Sequence, residues 1–409
     1  MSSTHSALLA SLLALVPLAA SAQTTVTLTP VADTTLDSRA GAANVGREVS
    51  FGADTGTGWH RDGVVRFKIG DVGVVQKAVL RLFVVNGSTT GAEVNLTRNP
   101  TWSEASAAMP KEAPFPIARL YSALPSTWVE ISMTNQVIAG GVLDVRFSAR
   151  SEDAVAFASR ESGSATAPQL VITSLPSPAT PAPGHGAVLV ADADTSAVQT
   201  QAATNFGAEA VVFADHNSGL DQRLGFVRFP LAAARAGRTV TRGTIRLWVT
   251  NASVGRVSIL PFAEAAPHFW SETGLTYERL PGFGLRTPMA PRVVVGVPQD
   301  HWLELDCTAA AKEAESLSLQ VATDTADGLG FASREAADHR PELILELEPV
   351  SCPAAGCGAG QTCVANACVA TCAVSEDCPA GNVCVTGTCS PGARPAALPA
   401  THALTADDP

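Results

Sequence analysis

The chain has 409 residues, of which 16% are charged, and a formal net charge of −11. It carries no basic stripe, which argues against a nucleic-acid partner. After the first 22 residues no stretch of about 20 apolar residues occurs, so nothing there is expected to insert into a membrane.

The first segment reads as a secretory signal. Ala7 to Ala20 is an apolar run, and Ala20-Ser21-Ala22 fits the small-x-small cleavage rule. Residues 1–22 are therefore expected to be removed, which places the protein outside the cell or on its outer surface. The departure is an n-region with His5 but no Lys or Arg.

From residue 23 the chain contains one module twice. Asn44-Val45-Gly46, Val65-Arg66-Phe67, Leu80-Arg81-Leu82-Phe83-Val84, Trp102-Ser103-Glu104, Trp128-Val129-Glu130-Ile131 and Phe157-Ala158-Ser159-Arg160-Glu161 form the first series. Asn205-Phe206-Gly207, Val227-Arg228-Phe229, Ile245-Arg246-Leu247-Trp248-Val249, Trp270-Ser271-Glu272, Trp302-Leu303-Glu304-Leu305 and Phe331-Ala332-Ser333-Arg334-Glu335 answer it. The offset grows from 161 at Asn44/Asn205 to 174 at Phe157/Phe331, so the copies differ by small loop insertions. A period this long marks tandem domains and not a solenoid. The expected boundaries are 23–174 and 187–348, joined by a Pro-rich linker at 175–186 that acts as a semi-rigid spacer.

Within each module the apolar period is two. Val65, Phe67 and Ile69 alternate with Arg66 and Lys68; Leu317, Leu319 and Val321 alternate with Ser318 and Gln320. Such alternation predicts strands with one buried and one wet face. Turn pairs such as Asn86-Gly87 and Gly140-Gly141 separate them. Only Thr308 to Glu315, and more weakly Thr134 to Ala139, read as short helix. The fold class is all-β: two tandem antiparallel β-sandwiches of jelly-roll type and a small disulfide-rich C-terminal region.

That last region spans 349–390, before an Ala/Pro/Thr-rich tail at 391–409 expected to be disordered. Cys352, Cys357, Cys363 and Cys368 form one four-Cys unit; Cys372, Cys378, Cys384 and Cys389 form a second. No His lies among them and no C-x-x-C occurs, which points to disulfides in place of zinc. Each unit allows three connectivities, of which alternate pairing is the expectation. The ninth cysteine, Cys307, shares a strand face with Leu303 and Leu305 and reads as a silent core thiol.

The shared motifs resemble the DNRLRE-type module, also called carbohydrate-binding module family 96. Asp33-Thr34 and Asp194-Thr195 match its start, and the two Phe-Ala-Ser-Arg-Glu segments, followed by Pro168 and Pro341, match its close. Two departures stand out. Asp-Val-Thr becomes Ser132-Met133-Thr134 and Asp306-Cys307-Thr308, and the Thr-Trp-Asn after Trp-x-Glu is replaced in both copies. The resemblance implies a secreted, non-catalytic polysaccharide-binding protein. The tail resembles Cys-rich repeats of secreted myxobacterial proteins.

The residues support the same class. Repeated acids sit inside structural motifs, the His residues have no equivalents between copies, and no hydrolase, zincin or P-loop motif occurs. An enzyme is therefore not expected, and no cofactor is required. Alternation places Arg246 and Trp248 together on an outer face, as it does Arg81 and Phe83. A flat aromatic beside a planar guanidinium suits a sugar ring. Arg66, Arg146 and Arg228 are also expected outward, and Arg66 and Arg228 join the candidate platform, with Trp59 as a loop contact. Trp102/Trp270 and Trp128/Trp302, present in both copies, are expected in the core or at corners. Arg160-Glu161 and Arg334-Glu335 are expected to fix sheet edges. Asp33, Asn44, Asp192, Asp194 and Asn205 could contribute to a structural Ca²⁺ site. The alternative to a polysaccharide partner is an extracellular structural or adhesive protein that binds a cell-surface or matrix protein.

Overall fold

The computed structural model describes residues 22–39, 46–97, 102–104, 115–217, 221–264, 268–282 and 291–349. In the tail it describes 361–364, 367–372, 378, 382–385 and 387–391. Asn44, Cys352 and Cys357 and the leader lie outside these residues.

The first module holds β1 (Thr24–Leu28), β2 (Ala32–Asp37), β3 (Ser50–Gly56), β4 (Trp59–Lys68), β5 (Val74–Asn86), β6 (Ala92–Leu96), β7 (Phe115–Leu120), β8 (Trp128–Ser132), β9 (Val142–Ala149), β10 (Val155–Ala158) and β11 (Gln169–Leu175). The second holds β12 (Gly186–Val190), β13 (Ala193–Val198), β14 (Val211–Asn217), β15 (Asp221–Pro230), β16 (Arg238–Asn251), β17 (Ser253–Glu264), β18 (Arg292–Val297), β19 (His301–Asp306), β20 (Ser316–Thr323), β21 (Leu329–Ala332) and β22 (Glu342–Pro349). Both are antiparallel and share one topology. The hydrogen-bonded path runs β1-β11-β5-β10-β3-β4-β9-β6-β7, with β2 on β4 and β8 on β5; the second module repeats it strand for strand.

The path folds over at β3. Its first half pairs β10, Phe51 opposite Phe157, and its end pairs β4, Asp54 opposite Arg61. One strand thus serves both layers of the sandwich. Inward residues from both layers meet there: Leu80 and Leu82 from β5, Val65 and Phe67 from β4, and Phe51, Phe147 and Phe157 packed ring to ring. Gly63 and its counterpart Gly225 allow this closure. A Cβ on Gly63 would lie 2.9 Å from the Phe51 ring, and one on Gly225 would lie 2.9 Å from Val212.

Alternation puts the arginines of β4, β9 and β15 on the outer face, but that face is not wet there. Arg66 makes two 2.6 Å bonds to the buried Asp144 and donates to the Trp102 carbonyl at 2.9 Å. Arg228, only 7% exposed, pairs with Asp192 and donates to the Trp270 carbonyl at 2.7 Å. Arg146 is buried against Asp62. The outward expectation for all three is therefore corrected: the outer face of this layer is roofed by the Trp-x-Glu loop. Trp102 packs there with Ala32, Leu36 and Val64, and Trp270 with Leu224 and Phe226.

The modules pack directly on each other. Val293 and Val295 of β18 join the first module's apolar core, and Ile138 joins the second's. The Val293 amide donates to the Asn135 carbonyl at 3.0 Å, and Arg256 lies 4.2 Å above the Phe115 ring. The start of the linker is held too. Arg242 donates to the Pro176 carbonyl at 2.6 Å, and Ser177 donates to Glu304 at 2.7 Å. The expected linker is thus docked at its start, at Pro176 and Ser177.

The helix expected at Thr308 forms as Thr308–Glu313. Its counterpart, 134–139, is turn and irregular backbone, since Asn135 and Ile138 are spent on the module junction. Cys307 is buried beside it. In the tail, Gln361–Val364 pairs with Ala367–Ala370 and Asn382–Val385 with Thr388–Pro391. The second unit is joined Cys372–Cys384 and Cys378–Cys389, the alternate pairing; Cys368 of the first unit is also disulfide-bonded.

Arg66→Ala leaves Asp144 buried without its partner and frees the Trp102 loop. The expected loss is about 3 kcal/mol or more, read as a lowered urea midpoint; an unchanged midpoint would contradict the roofed-face assignment. Burial pushes the Cys307 thiol up, and neighbouring Asp306 adds to this. Aromatic-disulfide reagents should therefore leave it unlabelled in buffer and label it in denaturant.

Candidate functional site

Two outer-face clusters, one per module, gather the residues suited to a flat ligand. In the first, β5 and β8 set Arg81 opposite Glu130 and Phe83 opposite Trp128. Arg81 bonds Glu130 at 3.0 Å and Gln169 at 2.8 Å, and its guanidinium lies 4.8 Å above Trp128. Phe83 meets Trp128 edge-on at 5.6 Å. In the second, β16 and β19 set Arg246 opposite Glu304 and Trp248 opposite Trp302. Arg246 pairs with Glu304 at 3.0 Å and lies 4.3 Å above Trp302, which meets Trp248 edge-on at 5.3 Å. All four aromatic rings are half-buried. Each cluster therefore offers an apolar ring surface bordered by a guanidinium whose charge is already balanced by a carboxylate.

Trp128 and Trp302, expected in the core or at corners, stand half-buried on the outer face. The signal was legible. With Val129, Ile131 and Met133 inward, period two sends Trp128 and Glu130 outward. Trp102 and Trp270 are buried as expected.

The copies differ in their surroundings. His339 stacks on Trp248 with centroids 4.2 Å apart, and the first module has no His in that loop. The second cluster also forms a wall of a cleft of about 210 Å³ at the module junction. Asp71, Ala139 and Ser177 lie across from Arg246, Trp248 and Trp302.

Trp59 opens β4 after a tight turn in which Gly58 has φ 79°. It is half-buried, with Arg39 and Arg61 at 4.8 and 5.8 Å from its ring and both arginines tied to Asp37. Asp221 stands at the same register in the second module, so this feature belongs to one copy. Arg228 is buried and Arg66 half-buried, each holding a Trp carbonyl, so neither stands with these outer-face clusters.

A different constellation unites the shared motifs. The Asp33 amide donates to Glu104 at 3.0 Å, and the Arg160 amide donates to Asp33 at 2.9 Å. Arg160 also pairs with Glu104 and Glu161. The second module repeats this wiring: Asp194 to Glu272 at 3.2 Å, Arg334 to Asp194 at 2.6 Å, and Arg334 with Glu272 and Glu335. In each, one carboxylate oxygen from each of three acids lies within 4.8 Å of the others. These glutamates were missed as a site; only convergence of three distant motifs reveals them. Arg160 and Arg334 hold the loops together here as well as fixing an edge. Of the expected cation ligands, Asp33 and Asp194 are in the clusters. Asp192 is taken by Arg228. Asn205 latches the Trp loop by donating to the Leu275 carbonyl at 2.8 Å and accepting from the Gly207 amide.

Burial pushes Asp33 and Asp194 up to about 7; the Arg160 and Arg334 amides oppose this, and the neighbouring glutamates add to it. With a folded value above the ordinary 3.8, the folded state holds the proton more tightly than the unfolded chain. Their contribution to stability is therefore present below about pH 4 and lost as pH rises through about 7. In chelator, the melting temperature should fall between pH 5 and pH 8 more steeply for the parent than for Asp33→Asn/Asp194→Asn. Parallel slopes would contradict this.

Among solved structures the chain is similar to the N-terminal CBM22-1-CBM22-2 tandem domain from Paenibacillus barcinonensis Xyn10C. The identity is 9%, the match covers 80% of this chain and 99% of that one, and the TM-score is 0.17, too low to carry an argument. No curated protein matches the chain. The carbohydrate-binding module family 96 model matches residues 24–174 and again 187–347. These are the two modules whose motifs build the clusters above, and together they span most of the chain, which belongs to carbohydrate-binding module family 96 as a tandem of two copies.

Proposed function

We propose that the protein is exported and binds an extracellular polysaccharide without catalysing its cleavage. The observation that carries this reading is the duplicated outer-face cluster: Arg81, Phe83 and Trp128 in one module, Arg246, Trp248 and Trp302 in the other. A half-buried indole held edge-on by a second ring is rigid, so stacking a pyranose on it costs little side-chain entropy. The guanidinium adds planar donors at the border of the ring. Family membership supports a carbohydrate ligand. Export is supported by the signal-like residues 1–22 and by disulfides, which persist in oxidising compartments. None of the described helices is long and apolar enough to cross a membrane.

The docked junction gives the two clusters a fixed relation. A single long chain reaching both gains affinity from the second contact without the entropy loss of a floppy tether. The second cluster sits in a cleft where Asp71 and Asp300 stand beside the paired Arg246 and Glu304, which favours neutral sugar residues there over acidic ones.

Affinity electrophoresis of the full chain against neutral and acidic polysaccharides tests the proposal. Retardation by one of them should weaken about tenfold or more in Arg246→Ala/Trp248→Ala, as for loss of a central aromatic anchor. Absence of retardation by every polysaccharide, in a folded sample, would transfer the reading to an adhesive or structural protein with a protein partner.

A further inference from the structure

The motif residues that define the repeat converge on a pair of oxygen-rich clusters that sugar stacking does not use. In the second module these are Asp194 on β13, Glu272 in the Trp-x-Glu loop and Glu335 in the turn after β21. In the first they are Asp33 on β2, Glu104 and Glu161. We propose that each module binds one Ca²⁺ ion through these three carboxylates, two ions per chain.

Geometry supports a single ion per cluster. Calcium–oxygen bonds run about 2.3–2.6 Å, so two ligands of one ion stand up to about 5 Å apart. The carboxylate oxygens of each triad lie within 4.8 Å of one another, inside that reach. The donors are all oxygen and come from three separate segments, a pattern that suits a hard cation of flexible coordination.

Charge supports a divalent ion. Each cluster sets three acids against one arginine, and that arginine is partly committed elsewhere. Arg160 donates to the Val31 carbonyl and Arg334 to the Asp192 carbonyl, both at 2.9 Å. With all three acids ionised the surplus is two negative charges, which Ca²⁺ neutralises.

An orphaned atom supplies the independent observation. Asp194 is 1% exposed, and its Oδ2 accepts from the Arg334 amide, but its Oδ1 is buried with no hydrogen-bond partner. A buried carboxylate oxygen without a partner is costly, and such an atom in a site with two further carboxylates is what a cation ligand looks like before the ion is added. The bound ion would tie the first strand pair, the Trp loop and the Ser-Arg-Glu turn to one point. It would therefore act on the stability of each module and need not touch the ligand-binding face.

The test uses the full chain, stripped with EDTA and dialysed into metal-free buffer. Calcium titrated by calorimetry should give two equivalents, and calcium at a hundred times its dissociation constant should raise the melting temperature by about 4 °C or more. Glu335→Gln and Glu161→Gln alter the exposed member of each triad, so both should fold, as checked by circular dichroism. Each single variant should bind one equivalent and the double variant none, with the calcium-induced rise in melting temperature lost. No heat and no rise for the stripped parent at 10 mM calcium overturns the proposal. So does unchanged stoichiometry in the folded double variant. Neither outcome depends on whether a polysaccharide is bound.

Discussion

The arrangement depends on one contact made twice: an arginine largely withdrawn from water that donates to the main-chain carbonyl of a tryptophan. Arg66 holds the Trp102 carbonyl and Arg228 the Trp270 carbonyl, each while paired to a carboxylate. The guanidinium is planar and weakly hydrated, so it can satisfy a carboxylate and a carbonyl at once inside the fold. The consequence is a fixed Trp-x-Glu loop laid over the outer face of β4 or β15. That loop carries Glu104 or Glu272 to the aspartate of the first strand pair and the arginine of the Ser-Arg-Glu turn. Without the tether, three segments distant in sequence have no reason to meet.

The two copies reach this arrangement by different partners. Arg66 takes its carboxylate from Asp144 on β9, whereas Arg228 takes it from Asp192, just ahead of β13. The geometry required is a carboxylate beside the guanidinium, and either side of the strand can supply it. Asp192 is thereby committed as an ion-pair partner, although its spacing from Asp194 suggested a shared cation site. The aromatic clusters diverge in the same way. Their Arg, Glu and ring registers are common, but His339 and the junction cleft modify only the second.

Much of this was legible in the sequence because sheets impose a strict period. The repeat, the all-β class, the inward face of each strand and the burial of Cys307 follow from spacing or side-chain alternation. The burial of Trp102 and Trp270 follows from residue type, and spacing leaves three connectivities open for the four cysteines from Cys372 to Cys389. The outward position of Trp128 and Trp302 also follows from alternation. Residue type suggests a core or corner place for them, but register wins because a one-residue slip would turn Val129 and Ile131 out to water.

The sequence by itself determined which face of each strand is apolar, since backbone pleating settles that locally. It could not determine what covers the opposite face. Arg66, Arg146 and Arg228 alternate as wet-face residues do, yet a distant loop or a partner carboxylate removes them from water. Nor could it show that β18 and Ile138 would fuse the modules, or that Ser177 and Pro176 would dock on the second. Only the tertiary structure decided these points, because side-chain period records the local backbone, whereas cover, ion pairing and acid convergence depend on segments far apart in the sequence, from 36 residues for Arg66 and Trp102 to 140 for Asp194 and Arg334.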